Sequence, residues 1–155
     1  MKSKIIIFFV FYLITNSLNA ENININAKNI TIDKKKDITI FKDDVVIIDE
    51  KNNRIKSDFA SYDKKVDFFT LKKNILIKDD EGNILKGEEA TYDKKKGLYK
   101  IIGDAKILTS SGYIVDTSNV TLDINKKILS SEMKAKIEDI QNNFIYLDNF
   151  DYLAN

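Results

Sequence analysis

The sequence predicts an all-β protein, an elongated body of two facing sheets built from repeats of about 30 residues. Aspartates recur at a spacing of 30, at Asp33, Asp63, Asp93 and Asp123, and similar residues surround each of them. Runs rich in Ile, Val, Tyr, Phe and Thr alternate with polar turns, as strands and hairpins do. After residue 20, no segment has a helical apolar period that the repeat does not explain better.

The first 20 residues predict a secretory signal peptide. Lys2 and Lys4 precede an apolar run at residues 5–14, and Ala20 supplies a small residue at the expected cut. A membrane-spanning helix needs about 20 apolar residues, roughly twice the length of this run. We therefore expect cleavage and export, leaving residues 21–155 as a single domain.

The composition excludes several classes of function. The chain has 155 residues, 25 Lys and Arg against 24 Asp and Glu, and no His, Cys, Pro or Trp. Without His and Cys it has no Ser-His-Asp triad, no thiol nucleophile and no usual zinc site. The near-neutral charge argues against a nucleic-acid binder. We expect no catalysis, no metal and no cofactor.

Each repeat contains two strands and two kinds of turn. One kind is Asp-Lys-Lys, as at residues 63–65, and the other ends in Gly or Asn, as at residues 79–83. We expect the lysine turns along one edge of the body and the Gly/Asn turns along the other. The apolar columns switch parity within each strand, which predicts a bulge or bend near residues 87–89.

The recurring apolar columns are candidates for the lining of a trough between the sheets. Stacked repeats align equivalent side chains, and apolar burial contributes roughly 25 cal/mol per Å². The same columns also suit an ordinary dry core, and periodicity alone leaves both interpretations open. The candidate lining residues are Ile25, Ile55, Leu85, Val115, Ile47, Ile77, Ile107, Phe68 and Leu98.

The lysine turns suggest a basic ridge. Lys64, Lys65, Lys94 and Lys95 recur at the same turn of successive repeats, so stacking would align them. Such a ridge could guide the phosphates of a lipid headgroup. The alternative is a set of solvated turns that discourage aggregation.

Short sequence motifs that recur in a fixed register give this chain a resemblance to the OstA-like lipopolysaccharide-transport family. They are ASYD at residues 60–63, KNILI at 73–77, ATYD at 90–93 and GDAKI at 103–107. The likeness covers about residues 24–153. The family comprises the periplasmic bridge LptA, the periplasmic part of LptC and the N-terminal domain of the outer-membrane translocon LptD.

The resemblance implies a twisted, V-shaped β-jelly-roll with lipopolysaccharide acyl chains between its sheets. It also implies a periplasmic location, possible outer-membrane association and edge-strand pairing with other OstA-like proteins. The short signal run disfavours an LptC-like anchor. A structural, adhesin-like β-solenoid without lipid cargo is the alternative function, and a carbohydrate-active β-helix enzyme is a third class.

The end of the chain bears on the choice within the family. Tyr152 matches Tyr62 and Tyr92 of earlier repeats, but the second strand of its repeat is missing. We expect either an open edge that accepts a partner or a fragment of a longer protein. An LptD-like chain would continue into an outer-membrane β-barrel, whereas a short LptA-like bridge would stop here.

Overall fold

The computed structural model describes residues 23–153, and these confirm the all-β prediction. The signal peptide predicted at residues 1–20 lies outside the described residues. Among residues 23–153 nothing has the length and hydropathy of a membrane-spanning helix. Fourteen antiparallel strands follow one another: β1 (Asn24–Asn26), β2 (Asn29–Asp33), β3 (Ile38–Ile48), β4 (Arg54–Asp63), β5 (Phe68–Lys78), β6 (Ile84–Asp93), β7 (Leu98–Ile102), β8 (Asp104–Leu108), β9 (Ile114–Ser118), β10 (Thr121–Asp123), β11 (Ile128–Ser131), β12 (Ala135–Glu138), β13 (Phe144–Leu147) and β14 (Phe150–Leu153).

The strands form two layers that share β3 to β6. One layer has the order β2-β3-β4-β5-β6-β7-β10-β11-β14, and its hairpins are the lysine turns at 34–37, 64–67, 94–97 and 124–127. We call it the lysine-turn layer. The other has the order β1-β3-β4-β5-β6-β8-β9-β12-β13, and its hairpins are at 49–53, 79–83, 109–113 and 139–143. We call it the asparagine-turn layer.

A bulge in the middle of each long strand separates the layers. Two residues of β5, Lys73 and Asn74, oppose the single Glu88 of β6, and both have positive φ (64° and 51°). Such a pair bends and twists the ladder. The bend that parity predicted near residues 87–89 is therefore present. After β6 each long strand is replaced by two short strands with a bend between them, as at Gly103 (φ 79°) between β7 and β8.

The core lies between the layers and is built from one row of side chains across each. In-register pairs in the asparagine-turn layer join Ile25, Ile47, Ile55, Ile77, Leu85, Ile107, Val115, Ile137 and Ile145. We call this the aliphatic row. The facing row of the lysine-turn layer is Ile32, Thr39, Tyr62, Phe69, Tyr92, Tyr99, Leu122, Leu129 and Tyr152. Residues of both rows belong to a single buried cluster.

The prediction that the two kinds of turn lie along separate edges of the body is wrong, because side chains of the two kinds of turn contact one another. The Lys51 ammonium donates to the carbonyl of Ile124 at 3.0 Å and to Oδ1 of Asn125 at 2.9 Å. Lys127 forms an ion pair with Glu81. Because every long strand bends in the middle, its two ends return to the same side of the molecule. The turns meet there along a seam made of side-chain contacts.

Two candidate lining residues face away from the interior. Phe68 is paired with Asp63 and Asp93, and Leu98 is paired with Asp93 and Asp123. Side chains alternate along a strand, so the burial of Phe69, the neighbour of Phe68, places Phe68 on the outer face. The prediction that Phe68 and Leu98 line the space between the sheets is therefore wrong.

Candidate ligand cavity

Most side chains of the aliphatic row are fully buried. Ile47, Ile55, Ile77, Leu85 and Ile107 are each at most 1% exposed. Branched aliphatic side chains directly opposite one another on adjacent strands pack closely and stabilise the sheet. In this part of the protein the predicted lining residues form a packed core between the two layers.

Toward the C-terminal end the layers separate around a cavity of about 270 Å³. Ile107 and Val115 reach it from the predicted set, whereas Ile25, Ile47, Ile55, Ile77 and Leu85 do not line it. Its mouth is formed in part by Ile145, which is 48% exposed although it belongs to the aliphatic row. The full lining is Ile107, Thr109, Tyr113, Val115, Leu129, Ile137, Ile145, Leu147, Phe150, Asp151 and Tyr152.

The prediction omitted several residues that line this cavity. Ile137 and Ile145 occupy the same 30-residue columns as Ile107 and Val115, so the repeat register would have found them. Phe150 continues the column of Ile30, Ala60, Ala90 and Val120, so the register would have found it too. Leu147 carried no such signal, because the earlier residues of its column, Ala27, Ser57, Gly87 and Thr117, are small. The cavity is thus lined by two predicted columns and by edge-strand residues of both layers.

A larger groove, of about 690 Å³, runs outside the bend and differs in chemistry. Its walls carry Lys86, Glu88 and Asp104, together with Lys106 and Asp116, whose ion pair spans 2.8 Å. Charged walls of both signs, open to water, do not suit an apolar ligand. The smaller cavity between the layers is therefore the better candidate site, since its lining is mostly aliphatic and aromatic.

Four aromatic side chains fill the interior of the lysine-turn layer before the cavity begins. Ring centroids are 4.4 Å apart for Tyr62 and Phe69, 6.0 Å for Phe69 and Tyr92, and 4.0 Å for Tyr92 and Tyr99. We call these four residues the aromatic cluster. Stacked rings at such distances contribute beyond the area they bury.

The aromatic cluster is tied to the opposite layer through a buried carboxylate. The Tyr99 hydroxyl donates to Oδ2 of Asp49 at 2.7 Å, and Asp49 also accepts from the Asn53 side-chain amide at 2.7 Å. Burial, reinforced by the Asp49 charge, raises the pKa of both Tyr92 and Tyr99 above the ordinary tyrosine value. The raised pKa keeps the Tyr99 hydroxyl protonated well into the alkaline range, and as a hydroxyl it donates to Asp49.

The predicted basic ridge lies on the lysine turns and is partly neutralised there. Lys65 lies 3.8 Å from Asp37, and Lys94 lies 3.8 Å from Asp67, in each case a carboxylate of the preceding turn. Lys64 and Lys95 are solvent-exposed. The turns therefore stack as predicted, but acidic groups are interleaved with the lysines.

Comparison with known proteins supports the architecture. No protein-family model matches the sequence, and no curated protein matches it. Among solved structures, the fold is similar to the crystal structure of LptH from Pseudomonas aeruginosa, described as the LptA-homologous periplasmic component of the lipopolysaccharide transport device. The TM-score is 0.63 at 13% sequence identity, over 82% of this chain and 94% of that one. The likeness establishes the β-jelly-roll fold.

Proposed function

We propose that this protein is a non-enzymatic, periplasmic lipopolysaccharide-binding module of the transport type, acting in outer-membrane assembly. The observation that carries the proposal is the apolar cavity between the layers, open toward the C-terminal end and lined by Val115, Ile137 and Ile145. The shared fold with a periplasmic lipopolysaccharide-transport component supports it. Export through the signal peptide predicted at residues 1–20 is part of the same proposal.

The lining of the cavity suits an acyl chain. Each apolar Å² removed from water contributes roughly 25 cal/mol, and the walls are mainly branched aliphatic and aromatic groups. Tyr113, Tyr152 and Thr109 add hydroxyl groups to the lining, and Asp151 supplies its one carboxylate. An amphiphile would bury its chain there and keep its polar headgroup outside the cavity.

Lys64, Lys65, Lys94 and Lys95 remain the proposed surface for headgroup phosphates. Lys64 and Lys95 are the stronger candidates, since Lys65 and Lys94 already lie beside carboxylates. The Lys65–Asp37 pair is exposed, so it contributes little stability and leaves Lys65 accessible to a phosphate, whereas the side chains of Lys94 and Asp67 are only 11% and 20% exposed.

The two ends of the body suggest joining to further copies of the same fold. Each layer ends in an edge strand on which one side has no partner among residues 23–153. At the N-terminal end Ile30 and Ile32 are 54% and 63% exposed, although they pair in register with interior positions. At the C-terminal end Ile145 and Leu147 are similarly uncovered. We propose head-to-tail contact between copies, or with other OstA-like proteins, through these ends.

Photo-crosslinking tests the lipid site. Benzoylphenylalanine placed at Ile145 should form an adduct with lipopolysaccharide on irradiation, detected as a heavier band that reacts with an antibody to lipid A. Tyr146 is the matched control, because it is the next residue of β13, is 72% exposed and points away from Ile145. It should give little adduct.

Two outcomes would contradict the proposal. Equal adducts at both positions would indicate non-specific contact with lipid micelles. The absence of an adduct at Ile145, in a variant that folds, would favour a structural β-solenoid without lipid cargo.

A further inference from the structure

The interior row of the lysine-turn layer changes from leucines to aromatic rings with increasing distance from the cavity. Counting inward along the row of the lysine-turn layer, Tyr152 and Leu129 line the cavity, Leu122 follows, and Tyr99 begins the aromatic cluster. Leu122 and Leu129 are at most 2% exposed, and Tyr99 is fully buried. Leu122 therefore separates the cavity lining from the first ring of the aromatic cluster.

The ring of Tyr99 is held much more firmly than these leucines. Its hydroxyl is one of four donors to Asp49, together with the backbone N–H groups of Lys51 and Asn53, both at 2.9 Å, and the Asn53 amide at 2.7 Å. Displacing Tyr99 would remove a donor from a buried carboxylate, which is costly. The leucines carry no polar group, and only packing opposes their movement.

The seam between the turns reinforces the same region. Lys51, two residues after Asp49, spans the seam to Ile124 and Asn125. Nearer the cavity the contact is weaker, since Ser111 and Tyr152 approach only to 3.3 Å between their hydroxyl oxygens. Lys51 thus holds the turn of Asp49 against the hairpin that carries Leu122 and Leu129, and the layers are linked more loosely near Tyr152.

We propose that Tyr99, anchored to Asp49, sets the maximum depth to which an acyl chain enters the space between the layers. The chain displaces or passes Leu129 and Leu122 and stops at the Tyr99 ring. The interior on the far side of Tyr99 is a permanent core that lipid does not reach. This inference rests on the proposed lipid-binding function and assigns a length-selecting role to residues outside the cavity.

A chain-length series tests the inference. Saturated fatty acids from octanoate to palmitate, each below its micelle concentration, are titrated into the purified protein by isothermal titration calorimetry. Each methylene that enters the interior should raise the affinity roughly fourfold, and methylenes beyond the limit should add nothing. The wild-type protein should therefore show a break in affinity against length, and Tyr99→Leu should move the break to longer chains.

Matched variants keep the result interpretable. Tyr62→Leu removes a ring at the far end of the aromatic cluster and should leave the break where it is. If Tyr99→Leu does not fold, as judged by thermal melting, Tyr99→Phe replaces it. That variant keeps the ring and loses only its bond to Asp49, so the break should again move to longer chains.

The remaining outcomes separate the two proposals. Affinity that rises without a break through palmitate, or a break unmoved in a folded Tyr99 variant, overturns the depth limit and leaves the lipid site standing. If no fatty acid binds, while octanoate and palmitate bind a control lipid carrier under the same conditions, both proposals are wrong.

Discussion

At the scale of single residues, Asp49 is an unusual buried group, because its carboxylate is satisfied by hydrogen bonds rather than by a cation. Lys51 contributes its backbone N–H, while its ammonium crosses the seam to Ile124. The equivalent Asp79 of the next repeat is also buried and accepts bonds from Asn83. Only Asp49 of the two accepts a tyrosine hydroxyl from the opposite layer, which adds a buried link between the layers to those made by Lys51 and Lys127.

The hydrogen bond between Tyr99 and Asp49 predicts that losing the Tyr99 hydroxyl destabilises the folded protein. Tyr99→Phe should lower the free energy of unfolding by about 1.5 to 3 kcal/mol, the usual value for a hydrogen bond to a charged group. Urea denaturation followed by circular dichroism measures it. Tyr146→Phe, at an exposed position, should change stability by less than about 0.5 kcal/mol. Equal effects of the two substitutions would show that the Asp49 bond contributes no net stability.

Tyr99→Phe should also change how the free energy of unfolding depends on pH in the alkaline range. In the folded protein, burial above all raises the pKa of Tyr99, whereas an unfolded tyrosine ionises near pH 10. Above that pH the unfolded chain releases a proton that the folded protein retains, so the free energy of unfolding falls as the pH rises. In Tyr99→Phe this fall should be shallower. An identical slope in both proteins would contradict the raised pKa.

At the scale of elements, the turns of the asparagine-turn layer form a hydrogen-bonded ladder. Oδ1 of Asn53 accepts the backbone N–H of Asp80, and Oδ1 of Asn83 accepts that of Ser110, at 3.1 Å and 2.9 Å. At the next position of the repeat the chain has Tyr113, whose side chain lines the cavity. Loss of the asparagine thus coincides with the point where the layers separate.

The ladder predicts unequal effects of one substitution at two equivalent sites. Asn83→Ala removes a buried amide that bonds both Asp79 and Ser110, and should cost about 2 to 3 kcal/mol in unfolding free energy. Asn143→Ala removes an exposed amide bonded to Asp139 and should cost less than about 1 kcal/mol. Chemical denaturation of both variants provides the comparison, and similar losses would show that the ladder adds nothing to the individual turns.

The sequence predicted the columns of the aliphatic row and the bend near residues 87–89, because both follow from local rules. Column spacing identifies equivalent positions, and the parity change between the Leu85 and Ala90 columns requires a bulge, which lies opposite Glu88. It did not predict which face each column occupies. Phe68 and Phe69 are adjacent and equally apolar, so only the pairing of Phe69 with Tyr62 and Tyr92 shows which of them faces inward.

The position of the cavity depends on the whole molecule and was not predictable from the repeat. Every repeat contributes similar residues to the aliphatic row, yet only Ile107 and Val115 of the predicted set reach open space. The difference arises from how two twisted layers overlap, and twist accumulates over all the strands. A periodic sequence contains no local signal for this accumulated twist.

At the scale of the whole molecule, the layers are displaced relative to each other. The seam joins the turn at 49–53 to the turn at 124–127, which is several strands further along the other layer. The displacement leaves part of the lysine-turn layer uncovered at the N-terminal end, around Ile32. It leaves part of the asparagine-turn layer uncovered at the C-terminal end, around Ile145. The two uncovered surfaces belong to opposite layers and opposite ends, so one copy could cover the other.

This geometry predicts head-to-tail association that two variants can dissect. Sedimentation velocity of the wild-type protein should show larger species as concentration rises, since a heterologous interface that does not close gives open chains. Ile32→Lys and Ile145→Lys should each remain monomeric, because each has one blocked end. Mixing the two variants should restore dimers and nothing larger, since one intact N-terminal end then meets one intact C-terminal end. A symmetric interface would instead leave at least one variant dimeric by itself, and monomers in every sample would rule out self-association.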